Sequence, residues 1–242
     1  TVVILSLGAS YLAILLLRLL GRKVIVVVHE PGGYRQKNAR GDPRGYALRA
    51  TLYETLARLA TVRGTPSRRN AVRGLVHLPL ILDWRASGGA DRDTVVYLGR
   101  KEHRRAIHLF RRLARARAGG HAYAEFPTAE GRTTAAKDRI MARAIAVVNL
   151  YRVPHNQSGV TADALRYGVP VIVSEHDAWA DLIRAEALGL VLPVRRIRER
   201  AVLGALDRIA RDPRFRANLA RVHDREFGAA AFRAQWLRHL RP

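Results

Sequence analysis

The sequence predicts an α/β protein built on parallel sheets, and two observations carry that expectation. A strand, a helix and a second strand fall within about thirty residues at the start, the size of one parallel βαβ unit. Strands then alternate with helices along the rest of the chain, with no fixed-period repeat and no low-complexity tract. At 242 residues the chain is long enough for one large domain or two small ones. The break in composition at Arg85–Asp93 (RASGGADRD) favours two. In sheets of this kind ligands bind beyond the carboxyl ends of the strands, so the loops that follow strands are where candidate site residues belong.

The elements follow in order. Val2–Leu7 reads as a buried strand, Gly8 as a tight turn, Tyr11–Leu20 as a helix stopped at Gly21, and Lys23–His29 as a β-branched strand. The uncharged run Val2–Leu17 is shorter than the ~20 residues a membrane span needs. It also lacks the basic start and the cleavage site of a secretory signal. Leu48, Leu52, Leu56 and Leu59 place a helix over 46–62, broken by Gly64-Thr65-Pro66-Ser67, and Leu75–Leu82 is a short apolar segment. Residues 1–84 are thus a first domain, 85–93 a linker and 94–224 a second domain. In the second domain the expected strands are Thr94–Leu98, Val147–Tyr151, Val171–Ser174 and Leu190–Pro193. The expected helices are His103–Arg117, Lys137–Ala146, Thr161–Tyr167 closed by Gly168, Trp179–Ala187, Glu199–Arg211 and Pro213–Val222. Phe232, Trp236 and Leu240 recur at four-residue spacing, so Phe227–Leu240 is an amphipathic helix, within a last segment 225–242.

The composition excludes several classes of protein. With 48% hydrophobic residues the chain can build a core. Cysteine is absent, which removes disulfides, thiolate-bound metals and thiol catalysis. The charge is lopsided, 43 Lys and Arg against 20 Asp and Glu, a formal net of +23 carried almost wholly by arginine. Guanidinium groups stay charged and grip phosphate in a two-pronged way, so phosphate-bearing partners are expected: a nucleotide, a nucleic acid or an anionic lipid surface.

The run Asn149–Pro193 is the most informative. Its segment Ser158-Gly159-Val160-Thr161-Ala162-Asp163 is a polar turn feeding a helix, where free N–H groups and the helix dipole make an anion site. Ordinary capping by Ser158 or Thr161, with Asp163 in the first turn facing the dipole, explains the same residues. The wider frame resembles the donor-binding half of GT-B glycosyltransferases, particularly the large retaining, nucleotide-sugar-dependent group (GT4-like). In that group a strand ending in proline leads to E-x7-E, an Ala-rich turn of helix and G-x-P-V-I. The corresponding residues are Val153-Pro154, His155 and Asp163 at the same spacing, Ala164, and Gly168-Val169-Pro170-Val171-Ile172-Val173-Ser174. Tyr97-Leu98-Gly99-Arg100 is similar to the strand end that opens the second domain of the group. Val28-His29-Glu30-Pro31 is similar to its acceptor-side strand end, and Phe227–Leu240 to its last helix, which crosses back onto the first domain.

The resemblance implies two Rossmann-like parallel-sheet domains, the first of them truncated or small, because the chain opens at what would be the fourth strand. It implies transfer of a sugar from a nucleotide diphosphate to an acceptor hydroxyl, on an acceptor sugar or a lipid-linked glycan. Arg100, with Lys101, Arg104 or Arg105, would neutralise the diphosphate. His155, Gln157, Ser158, Gly159, Val160 and Thr161 would line the sugar and phosphates, mostly through backbone amides. Asp163 would hold the ribose, and His29 would sit at the reacting centre with Arg100 as the other catalytic group. No metal and no further cofactor are expected, and the location implied is cytoplasmic, at the inner face of the membrane. Three departures stand out. His155 replaces the leading Glu, Asp163 is one methylene shorter than the Glu expected there, and the second domain is compressed between Leu113 and Lys137, where a strand is expected.

Other residues have plainer readings. Trp179, Trp236, Phe110 and Phe232 are packing residues, Glu175-His176-Asp177 is an exposed loop after a strand, and the basic helices are solvated faces. Two competing functions remain: a degenerate scaffold of the same fold, and a nucleic-acid-binding domain. The second is disfavoured by the scarcity of aromatic residues and the lack of a recognisable binding motif.

Overall fold

The computed structural model describes residues 2–4, 11–27, 60–65, 76–77, 82–85, 92–99, 105–126, 133–152 and 159–240. Contacts divide the chain into two units, one of residues 1–81 with 229–242 and one of residues 82–228. Each carries a wholly parallel sheet.

In the first unit the sheet order is β1 (Val2–Ile4), β2 (Val24–Val27), β3 (Val62–Thr65), β4 (Val76–His77). All of β2 is buried, which is why Val-Ile-Val-Val suits it: alternate residues enter different cores, one on each face. Val24 and Val26 pack with Ile14 of helix α1 (Tyr11–Leu19), and Ile25 and Val27 with Trp236 of the C-terminal helix. That last helix, Ala229–Leu240, therefore caps the first sheet with the aromatic pair Phe232 and Trp236, whose rings lie 5.5 Å apart. The expected helix over 46–62 falls mostly outside the described residues. Its last position is corrected, because Val62-Arg63-Gly64-Thr65 is strand β3, paired parallel to β2. An arginine and a glycine within four residues leave no apolar alternation for the sequence pattern to show.

The second unit holds a five-stranded sheet in the order β6 (Ala122–Phe126), β5 (Thr94–Leu98), β7 (Ala144–Asn149), β8 (Val171–Ser174), β9 (Gly189–Leu192). Along β5 the side chains alternate strictly. Val95 and Tyr97 enter one core with Ile107 and Phe110 of α2 (Ile107–Arg115) and Leu206 of α6 (Glu199–Arg211). Val96 and Leu98 enter the other, with Met141 of α3 (Thr134–Ala142), Leu165 of α4 (Gly159–Arg166) and Ile183 of α5 (Ala180–Ala185). Helices thus cover both faces. Helix α7 (Arg214–Val222) supplies Phe215 to the first core and Leu219 to the second, and a wider π-turn, His223–Phe227, precedes the last helix, α8 (Ala229–Leu240).

Two expectations for this unit need correction. Helix α3 starts earlier than Lys137, capped by the Thr133 hydroxyl accepting from the Ala136 N–H at 3.2 Å, and ends at Ala142. Ala144-Ile145-Ala146 then begins strand β7, although alanine has the highest helix propensity. Small residues fit there because β7 runs between two strands and under two helical layers, where room and not propensity decides. The supposedly compressed stretch after Leu113 contains strand β6, tied to α2 by a two-pronged Arg111–Glu125 pair at 2.7 and 3.1 Å.

At the β8–β9 contact, a Cβ on Gly189 would lie 2.0 Å from the Val171 carbonyl oxygen. Gly189→Ala must therefore part these strands. Unfolding in urea is expected to show a loss of at least about 2–3 kcal/mol, whereas Gly204→Ala, in open space inside α6, is expected to gain about 0.5–1 kcal/mol.

Candidate functional site

The strand order sets a switch point where β5 and β7 are neighbours but their following helices depart to opposite faces, α2 to one and α4 to the other. In open parallel sheets this switch point, at the carboxyl ends of the strands, is where ligands bind. The residues gathered there all belong to the second unit.

Gly99 ends β5 with φ of +87°, and a Cβ there would lie 2.8 Å from Cγ2 of Val160 and 3.0 Å from a terminal guanidinium nitrogen of Arg105. Only a glycine keeps this approach open. The end of β5, the first turn of α4 and Arg105 therefore converge on one point. The first amides of α4 have no partners within their own helix, and no acidic residue of the helix occupies its first turn, so that end carries the positive pole of the helix dipole.

Arg105 is 3% exposed, with its guanidinium carbon 4.3 Å from the centre of the Tyr97 ring and 5.5 Å from that of Tyr151. Its backbone pairs with Tyr151 just beyond β7. A permanently charged group at this depth requires negative charge nearby, and Asp177 contributes it.

Asp177 is wholly enclosed behind β8. Its Oδ1 accepts the Trp179 N–H at 2.9 Å, and its Oδ2 accepts the Thr161 hydroxyl at 2.8 Å and the Asn149 amide at 3.1 Å. The Asn149 amide also donates to Thr161 Oγ1 at 2.9 Å. The three side chains tie the end of β7, the first turn of α4 and the turn after β8 together. Burial pushes the Asp177 carboxyl up to about 6, against the pull of its hydrogen bonds and of Arg105.

The expected exposed loop Glu175-His176-Asp177 is thus corrected at Asp177. The signal was an Asp followed two residues later by a buried Trp, an Asx turn opening α5. Thr161 lies in the first turn of α4, and its hydroxyl faces the sheet, donating to Asp177 and accepting from Asn149. Asp163 lies beyond the first turn, where Lys137 holds its carboxylate at 3.0 Å and Arg166 approaches to 3.7 Å. Gly159 and Val160 open α4. His29, Arg100, Lys101, Arg104, His155, Gln157 and Ser158 lie outside the described residues. Sequence reasoning had no means to single out Asn149, an amide at the end of an apolar run whose partners lie 12 and 28 residues away.

Solved structures share this architecture over nearly the whole chain. The glycosyltransferase of kitacinnamycin aligns with a TM-score of 0.59 at 18% identity, covering 99% of this chain and 76% of its own. Anabaena HepE, solved in complex with UDP and glucose, aligns with a TM-score of 0.69 at 12% identity, covering 98% and 77%. Sucrose-phosphate synthase from Thermosynechococcus elongatus aligns with 0.62 at 16% identity, covering 94% and 70%. This chain has the GT-B glycosyltransferase fold. No protein-family model matches the sequence, and no curated protein matches it. At these identities the GT-B likeness is one of backbone and topology. Within this fold, the switch point belongs to the unit formed by residues 82–228.

Asp177 also gives a pH signature. Its folded-state pKa lies above the ordinary 3.8, so the folded protein binds the extra proton. Its contribution to stability is complete below about pH 4 and is lost as pH rises through about 6. Asp177→Asn removes that loss. The stability difference between variant and native protein is expected to shift in the variant's favour by on the order of 2–3 kcal/mol from pH 4 to pH 7 in paired denaturation curves, whatever the variant loses in hydrogen bonds at both pH values.

Proposed function

We propose that this protein transfers a sugar from a nucleoside-diphosphate donor to an acceptor hydroxyl. One observation carries the reading: Gly99, Arg105 and the amide end of α4 meet at the switch point of a parallel sheet. Anabaena HepE, of like fold, has been solved with UDP and with UDP-glucose, which supports a nucleotide sugar as the donor class. In the proposed reaction the bond between the anomeric carbon and the diphosphate oxygen breaks, and a bond to the acceptor oxygen forms. The acceptor proton is released, and the diphosphate leaves carrying the electron pair. The chain's part is to stabilise the charge gathering on that diphosphate with preorganised donors, namely the Gly159–Thr161 amides, Arg105 and, by the resemblance, Arg100, Lys101 and Arg104. On the same reading Asp163 holds the ribose, His155, Gln157 and Ser158 face the sugar, and His29 positions the reacting groups. Arginines and helix amides do the work a metal ion does elsewhere, so the reaction is metal-independent.

The acceptor side of the proposal is a glycan, lipid-linked, at the cytoplasmic surface of a membrane. Its support is the outer side of α1, where Leu15, Leu16, Leu19 and Leu20 are exposed, the last two by 75% and 71%, beside exposed Arg18 and Arg22. Apolar side chains flanked by arginine suit an anionic interface. No helix among the described residues is long and apolar enough to cross a membrane.

Saturating UDP or GDP is expected to raise the melting temperature by about 5–10 °C, with or without EDTA, and Arg100→Ala to remove most of the shift. A full panel of nucleoside diphosphates with no shift overturns the proposal. For the surface, co-sedimentation with phosphatidylglycerol vesicles is expected to fall sharply when Leu19 and Leu20 are both changed to Ser, while phosphatidylcholine vesicles take up little of either form.

A further inference from the structure

We infer that Asp177 is a positioning residue for the phosphate-facing turn of α4. It acts through Thr161 and Asn149 without touching a ligand. The inference rests on the donor reading above and adds to it a residue that the resemblance does not supply.

The geometry points one way. Thr161 is the third residue of α4, so whatever holds its side chain aims the first amides of that helix, those of Gly159 and Val160. What holds it is a closed ring of three side chains, all of them fully buried: Asp177 Oδ2 accepts from Thr161 and from Asn149, and Asn149 donates to Thr161. The other Asp177 oxygen is fixed by the Trp179 N–H, which ties the carboxylate to the start of α5. Rotation of any one member breaks two hydrogen bonds in a place where water does not replace them.

A carboxylate is a costly choice for such a ring. A neutral side chain would hold Thr161 without the penalty of burying charge, and Asp177 is wholly buried. The charge becomes useful beside Arg105, whose guanidinium is also buried and lies next to Gly99 and Val160. Asp177 thus serves the phosphate-facing turn through its hydrogen bonds, and its charge lies within electrostatic reach of the buried Arg105 guanidinium. A diphosphate arriving at this point meets donors that are already oriented.

The test uses the whole chain and calorimetric titration with UDP, GDP and ADP. Asp177→Asn leaves one acceptor oxygen where two are used, so the ring and the Trp179 N–H cannot both be satisfied. Binding of the nucleoside diphosphate is expected to weaken about tenfold or more, the equivalent of losing one buried hydrogen bond. Thr161→Val keeps the carboxylate and removes the hydroxyl through which Asp177 and Asn149 hold α4, and it is expected to weaken binding comparably. The exchange variant Asn149→Asp with Asp177→Asn restores complementary donors and acceptors with the polarity reversed, and it is expected to return affinity to within about threefold of native. A merely structural role would lower the melting temperature of the single variants, leave the folded protein's affinity for UDP unchanged, and give no rescue. Unchanged affinity in folded Asp177→Asn or Thr161→Val, or an exchange variant no better than the single ones, overturns the inference. If the native protein binds none of the three nucleotides, the donor reading itself fails, and this appears in the native titration before any variant is compared.

Discussion

Strands β5 and β7 lie side by side, yet the helices that follow them leave toward opposite faces of the sheet. The rest of the second unit follows from that constraint. A parallel strand pair needs a crossover, and crossovers of fixed hand on opposite faces cannot both cover the strand ends they depart from. The uncovered point receives Gly99 from one strand end and the first turn of α4 from beyond the other. The approach is close enough that a single added methyl group would collide with Val160 and crowd Arg105.

Charge is handled at this point in an unusual manner for so basic a chain. Among the described residues most arginines are solvated or pair at the surface, as in Arg112–Glu199, Arg143–Asp93 and Arg225–Glu186. Pairs of that kind contribute little to stability. Arg105 differs in being enclosed by two tyrosine rings, with the buried Asp177 close enough to be felt. Enclosing both signs of charge costs stability that an apolar core would not, and such arrangements endure where position matters more than stability.

Much of the architecture was legible in the amino-acid pattern. Strands β5 and β8 and helix α6 carry the boundaries expected for them, because each is a plain β-branched run or a plain amphipathic period between clear breaks. Elsewhere the pattern misled for identifiable reasons. Ala144-Ile145-Ala146 has helical propensity but sits in the middle of a sheet, where neighbours on all sides set the conformation. Val62–Thr65 is too short and too polar to announce a strand, and it becomes one only because β2 offers a partner. The segment around Gly159 stood out as a turn entering a helix, whereas Asp177 passed for an ordinary loop residue.

The amino-acid order by itself determined the alternation of strands and helices, the excess of positive charge and the glycine-led entry into α4, because these depend on neighbours a few residues apart. Tertiary structure alone decided which way Thr161 faces, how deep Asp177 and Arg105 lie, and that Asn149 joins them. Those properties are set by contacts between groups separated by 12 to 28 residues of chain. Burial, which gives a hydrogen bond or a charge its weight, does not exist until the sheet has formed around it.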